Sequence, residues 1–175
     1  MTENTADRFW AWFDRYADGY KTVIKKLTNE FGSQFSVWHT GGGCMAIEGS
    51  IGDRLVMITD AGDTLSRMDE RKKARKQGHP LGYGVGIYDW IPCDGRHWDS
   101  ATQTLMESAG PCDDPTHREQ SCEAVGWASS PEADTKKKLV RLIRLALASV
   151  GTYDVNSGSS WEHIDPKLLK KGVVR

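Results

Sequence analysis

The sequence predicts an α+β protein, in which long N-terminal and C-terminal amphipathic helices pack on one face of a mostly antiparallel sheet of about four strands. Apolar residues recur at helical spacing near both ends of the chain, and short alternating runs separated by glycines lie between them. We place a single globular domain at residues 1–151. Residues 152–175 are rich in Ser, Gly and Lys, which predicts a partly ordered polar tail.

The first helix is predicted to begin near Thr5 and to end at Gly32. Asn4 or Thr5 can cap its start, and glycine commonly ends a helix. Its apolar residues are spaced three and four positions apart, so they share one helical face that should pack on a sheet. They are Phe9, Trp12, Phe13, Tyr16, Tyr20, Ile24, Leu27 and Phe31.

A meander of three antiparallel strands should follow, at residues 35–39, 44–50 and 55–60, because these runs alternate in part between polar and apolar residues. A fourth strand is predicted at 83–90. There Gly84 and Gly86 leave one face bare, and a large aromatic side chain such as Trp38 could pack on it.

The remaining segments give weaker patterns. Residues 67–76 are strongly basic with almost no apolar stripe, which predicts a solvated loop or a short exposed helix. Residues 91–129 contain three prolines and show no clear periodicity. Ser130-Pro131-Glu132 combines an N-cap residue, a proline and an acid, and therefore predicts the start of a second long helix that ends at Gly151.

Composition limits the classes of protein that remain. No apolar run is long enough to cross a membrane, and the N-terminus lacks the features of a signal peptide, so we expect a cytoplasmic protein. A net charge of −1 argues against nucleic acid as the main partner. In a reducing compartment the four cysteines should be thiols or metal ligands rather than disulfides. The seven tryptophans are interpreted mainly as packing residues.

Glycines and polar groups concentrate near the predicted strand ends, and they suggest the rim of a ligand-binding site. Glycine allows close backbone approach to a ligand, although it also serves tight bulges. We predict that this rim is formed by Trp38, His39, Gly41, Gly42, Gly43, Asp60, Asp63, Tyr88 and Asp89. No cofactor is assigned.

Two catalytic alternatives use the same segments. Cys44 could act as a nucleophile with His39 as base, and the glycine loop could then provide an oxyanion site. Asp60, Asp63 and Asp89 could instead hold Mg²⁺ or Ca²⁺ in a metal-dependent hydrolase. Asp-Ala-Gly-Asp is also an ordinary turn composition, which favours a structural role.

A further alternative is a small zinc-stapled module that binds nucleic acid. Cys112-x4-His117-x4-Cys122 has part of the spacing of a zinc knuckle, with Cys93 or His97 as a fourth ligand. The opening Cys-x2-Cys of such a knuckle is absent. The basic run at 67–76 could contact nucleic acid, but its acidic residues favour a solvated surface.

The pattern Trp38-x-Thr40-Gly41-Gly42-Gly43-Cys44-x-Ala46, followed by Ile58-Thr59-Asp60 and Gly86-x-Tyr88-Asp89, resembles a group of small proteins from phages of actinobacteria. The resemblance spans about residues 35–150. No activity is established for that group, so it implies only a phage-encoded accessory protein in the host cytoplasm. Such proteins often act on a host protein or a small molecule, and we therefore predict a binding protein rather than an enzyme.

Overall fold

The structure is a computed structural model that describes residues 5–41, 44–61, 64–92, 96–99, 104–107, 118–121 and 123–152. Helices and strands alternate irregularly along this part of the chain. They are α1 (Thr5–Phe31), β1 (Phe35–Gly41), β2 (Cys44–Ile51), β3 (Arg54–Asp60), α2 (Met68–Lys76), β4 (Tyr83–Pro92), β5 (Arg96–Asp99), β6 (Thr104–Glu107), β7 (Arg118–Gln120), β8 (Gly126–Ser130) and α3 (Lys136–Ala148).

The main sheet is antiparallel, and the predicted α+β class is confirmed. Strands β1 to β4 form a meander, and both β7 and β8 pair with the side of β4 that β3 leaves open. The prediction of about four strands was too low. The additional strands lie within 118–130, and they are so short, at three and five residues, that they leave little periodicity in the sequence. Strands β5 and β6 form a separate hairpin.

One row of side chains crosses the whole sheet and forms the centre of the core. The strand register aligns Val37, Ile47, Ile58, Val85 and Ala128, and each is at least 96% buried. Helix α1 lies against β1, and α3 lies against β4 and β8. Both helices contribute buried residues to the same core as this row.

The first helix has the predicted bounds, and Gly32 follows it with a φ of 68°, a conformation that glycine adopts without strain. The predicted start of the last helix was wrong. Ser130 is the final residue of β8, and α3 begins at Lys136 after an N-cap at Thr135. Pro131 disfavours the helical conformation at the residue before it, which keeps Ser130 extended and available to the sheet.

Tyr88 and Trp127 cover the bare face of β4, so the prediction that Trp38 could cover it was wrong. A Cβ built on Gly86 would lie 2.7 Å from the Tyr88 ring, and one built on Gly84 would lie 3.1 Å from Trp127. Trp38 lies in the edge strand β1, three strands away from β4, and its side chain is 57% exposed.

Residues 153–175, which make up nearly all of the predicted polar tail, lie outside the described residues. Within the described chain, no helix has both the length and the apolar character that crossing a bilayer requires.

Candidate functional site

The predicted ligand-binding rim is divided between the two ends of the sheet. Asp60 pairs with Tyr83 at one end of β3, whereas Asp89 pairs with Arg54 at the other end. Asp60 lies six positions after Arg54, which corresponds to about 20 Å along a strand. Gly42, Gly43 and Asp63 lie outside the described residues.

Trp38, His39 and Gly41 lie near the Asp60 end of the sheet. His39 is in register with Met45 of β2, whose backbone is hydrogen bonded to Thr64 and Leu65, just beyond β3. The side chain of Trp38, however, lies on the opposite face of the strand from that of His39, because neighbouring residues in a strand alternate. These residues therefore share a region without facing a common ligand.

Asp89 forms an ion pair with Arg54, with 2.5 Å between Oδ1 and Nη1. Tyr88 precedes it and folds its ring over Gly86. Asp60 and Asp89 are too far apart to ligate one metal ion. The described residues also contain no group of three His, Cys, Asp or Glu side chains that could hold a metal. Asp60 and Asp89 therefore do not form the carboxylate cluster that the metal-dependent hydrolase alternative requires.

The nucleophile–base arrangement of Cys44 and His39 is not formed either. Cys44 is in register with Gly41, and His39 is in register with Met45. Alternation along β2 then puts Cys44 and Met45 on opposite faces, so the thiol and the imidazole point apart. The His39 ring instead meets Phe9 of α1 edge to face, with 5.5 Å between the ring centroids.

The proposed zinc ligands Cys93, Cys112, His117 and Cys122 lie outside the described residues, so the zinc-stapled alternative stays a prediction.

Asp60 has a structural role that the sequence did not predict. Its carboxylate pairs with Arg71 of α2, and both side chains are more than nine-tenths buried. Arg71 Nη2 also donates to the carbonyls of Leu81 and Gly82, at 2.5 and 3.1 Å. The predicted exposed helix therefore has one buried arginine, which connects α2 to the end of β3 and to the chain entering β4.

The phenols around this ion pair are unsuited to acid–base chemistry near neutral pH. Burial is the main reason that the pKa of Tyr20 and that of Tyr83 lie above the usual range for tyrosine. The Tyr20 hydroxyl donates to the Ser66 carbonyl, which keeps this group part of the packing.

The outer edge of β1 is the feature that most resembles a binding site. No strand in the described part of the chain pairs with this edge. The strand reads Phe-Ser-Val-Trp-His-Thr-Gly, with no proline and no Lys, Arg, Asp or Glu. Proteins usually protect exposed edges with charges, proline or a covering segment, because unpaired backbone groups readily pair with another chain.

Two exposed tryptophans flank this edge at the same end. Trp10 of α1 is 58% exposed and Trp38 of β1 is 57% exposed. The contact between Phe9 and His39 brings the start of α1 next to β1, so Trp10 lies on the helix side of this strand. Trp38 lies on the opposite side, because its side chain points away from that of His39. Trp90 is also exposed, at the far end of β4. The expectation that the tryptophans mainly pack in the core does not hold for these three.

The flank of α1 above the edge carries an apolar stripe that Asp14 and Lys21 border. Trp10, Ala17 and Ile24 are seven residues apart and therefore form one stripe along the helix. The opposite flank faces the other helices: Gly19 approaches Met68 of α2, and Glu30 pairs with Arg144 of α3. The first strand of a predicted meander is an edge strand unless a later strand covers it, so the sequence pattern could have located this surface.

Comparison of the chain with protein-family models, with curated proteins and with solved structures found no match.

Proposed function

We propose that this is an interaction protein that binds a partner protein by pairing an extended segment of the partner with the outer edge of β1. The observation that carries the proposal is an uncharged edge strand that no strand of the described chain pairs with, flanked by two exposed tryptophans. Strand addition of this kind obtains affinity from main-chain hydrogen bonds and specificity from side chains beside the edge.

Trp38 and Trp10 suit the role of anchors. Tryptophan is enriched among the few interface residues that carry most of the binding energy, because its large flat side chain loses much apolar surface to a partner. An added strand would place alternate side chains on the Trp38 face and on the Trp10 face of the sheet. Both indoles would then become buried against the partner.

A protein partner is better supported than a small ligand at the predicted rim. The rim residues do not converge, since Asp60 is buried against Arg71 and Asp89 pairs with Arg54 at the other end of the strand. The resemblance to phage accessory proteins makes a host protein the partner class that we propose.

The test is affinity capture from an actinobacterial lysate, followed by calorimetry with the purified partner. Variants Trp38→Ser and Thr40→Lys change the edge, and Trp90→Ser is the matched control at a distant exposed tryptophan. Loss of an anchor of about 2 kcal/mol weakens Kd roughly thirtyfold, so Trp38→Ser should bind at least that much more weakly. Thr40→Lys should weaken binding because a lysine opposes strand pairing at an edge.

Trp90→Ser should bind like the unmodified protein. The proposal would be contradicted if the Trp38→Ser and Thr40→Lys variants bound every captured partner as tightly as the unmodified protein does. A second copy of this chain is the other donor of a strand that the edge could accept. Sedimentation velocity measures the oligomeric state. A dimer that Thr40→Lys abolishes would assign the edge to self-association instead.

A further inference from the structure

A cavity of about 220 Å³ lies between α1, α2, the segment before β4 and the first turn of α3. Its inner wall is largely apolar and includes Val23, Met68, Leu81 and Tyr83. This cavity is separate from the β1 edge, because none of the residues that line it belongs to β1.

The rim of the cavity carries an excess of positive charge. Lys72, Arg75 and Lys136 line the rim together with the single carboxylate of Asp134, and Arg71 lies deeper, on the inner side. Asp134 is engaged by Arg75, whose Nε lies 2.8 Å from Oδ2, and Arg71 is balanced by the buried Asp60. Among the described residues, no carboxylate forms an ion pair with Lys72 or Lys136. Within the described part of the chain, two positive charges at this cavity therefore have no paired carboxylate, in a protein whose net charge is −1.

The first turn of α3 adds a second electrostatic excess at the same place. Lys136, Lys137 and Lys138 occupy the positive end of the helix dipole, where carboxylates stabilise a helix and cations destabilise it. Asp134 approaches the ammonium of Lys138 only to 3.5 Å. Thr135 accepts a hydrogen bond from the Lys138 N–H, whereas the N–H groups of Lys136 and Lys137 have no acceptor among the described residues and could donate to an anion. Sequence features that destabilise the fold, such as these three lysines at a helix start, are expected mainly at functional sites.

We propose that this cavity binds a small molecule that carries a phosphate group. The phosphate lies between Lys72, Arg75 and Lys136 at the start of α3, and an organic remainder contacts Tyr83 and Leu81. A phosphate dianion matches the two uncompensated charges. The cavity volume of about 220 Å³ is below the roughly 300–1,000 Å³ that drug-sized molecules usually occupy, which favours a small ligand. A phosphate monoester with a short organic group fits both the charge and the volume.

The probes are inorganic phosphate and glycerol phosphate, titrated against chloride at constant ionic strength so that general salt effects cancel. Amide chemical shifts of Lys136 and Lys137 report on the site, and the melting temperature reports on linkage to folding. We expect saturable shifts at these amides and tighter binding of glycerol phosphate than of inorganic phosphate. Lys136→Gln and Lys72→Gln should each weaken binding at least tenfold.

Lys73→Gln is the matched control, because it removes the same charge from α2 at a position that does not line the cavity. It should bind both probes as the unmodified protein does. Lys136→Gln should also raise the melting temperature without phosphate, since it relieves repulsion at the helix start. A structural role for Lys136 would lower that temperature.

Shifts that do not saturate, or that Lys73→Gln reduces as much as Lys136→Gln, would overturn the proposal. A short single-stranded DNA is the third probe. If it binds more tightly than glycerol phosphate and changes the amide chemical shifts of lysines outside the cavity, then the basic surface binds a polyanion and the cavity does not select a small phosphate.

Discussion

The guanidinium of Arg71 lies over the ring of Tyr83, 3.8 Å from its centroid, while it pairs with Asp60, the residue that faces Tyr83 across β3 and β4. One arginine from a short, highly charged helix thus contacts the ends of two central strands. The same arginine lines the inner side of the basic cavity, so the position of α2 and the shape of that cavity depend on one ion pair.

Arg71→Met should destabilise the protein by about 3–5 kcal/mol, because it removes the guanidinium that pairs with the buried Asp60 carboxylate. Urea denaturation measures the change. Arg67→Met, in the exposed pair with Asp69, is the control and should cost less than about 1 kcal/mol. The double variant Asp60→Asn/Arg71→Met should cost less than the sum of the single changes. Strict additivity would show that the pair is not coupled.

Gly86→Ala should destabilise the protein by about 1–3 kcal/mol through overpacking, since the new methyl group would lie 2.7 Å from the Tyr88 ring. The same change in a Tyr88→Ala background should be neutral or stabilising, because alanine loses less conformational entropy than glycine in a strand. Thermal or urea unfolding of the four proteins tests this. An equal cost in both backgrounds would disprove the contact with Tyr88.

Glu48→Gln should stabilise the protein at neutral pH but not at acid pH. Glu48 lies in β2 on the face that Met57 shares, and desolvation raises the pKa of its carboxyl. The folded protein therefore holds this proton at pH values where the unfolded chain has released it. Stability is lost as the pH rises from the unfolded pKa of about 4.3 to the higher folded pKa.

Urea midpoints of the Glu48→Gln variant and the unmodified protein should accordingly diverge in the variant's favour as the pH rises above the unfolded pKa of about 4.3. A variant that is less stable at neutral pH would indicate that the ionised carboxylate makes a favourable contact.

Thr135→Ala should cost about 0.5–2 kcal/mol, because it removes the side-chain acceptor that caps α3. Thr135→Ser keeps the hydroxyl and should retain most of the stability. Circular dichroism and urea unfolding are the measurements. If serine and alanine at this position were equally destabilising, the loss would arise from packing of the threonine methyl group rather than from capping.

Local patterns in the sequence were sufficient to predict the long elements. The helical spacing of the aromatic residues and Gly32 gave both ends of α1, and alternation placed β1 to β4 within two residues of their ends. These predictions were accurate because helix and strand periodicity is a property of neighbouring residues and does not depend on what the element packs against.

Other predictions failed where contacts distant in sequence decide the outcome. Ser130 has the composition of a helix cap, yet its pairing with Tyr83 in β4 makes it the end of a strand. The strands β7 and β8 are too short to have a distinctive period, and they exist because β4 offers them an open edge. Local propensity is a weak determinant when a short segment can gain a full set of strand hydrogen bonds.

The sequence by itself determined the α+β class, the three-strand meander, a fourth strand and the two long amphipathic helices, because apolar periodicity and glycine position are encoded locally. Only the tertiary structure decided which polar groups meet. Arg71 and Asp60 come together. Asp60 and Asp89 lie apart, because antiparallel pairing puts the C-terminal part of β3 and the C-terminal part of β4 at opposite ends of the sheet. The basic cavity at α3 likewise follows from how the helices approach each other, which no local pattern specifies. The strand order in the sequence makes β1 a candidate edge strand, but the exposure of Trp38 also requires that no later strand of the described chain pairs with it.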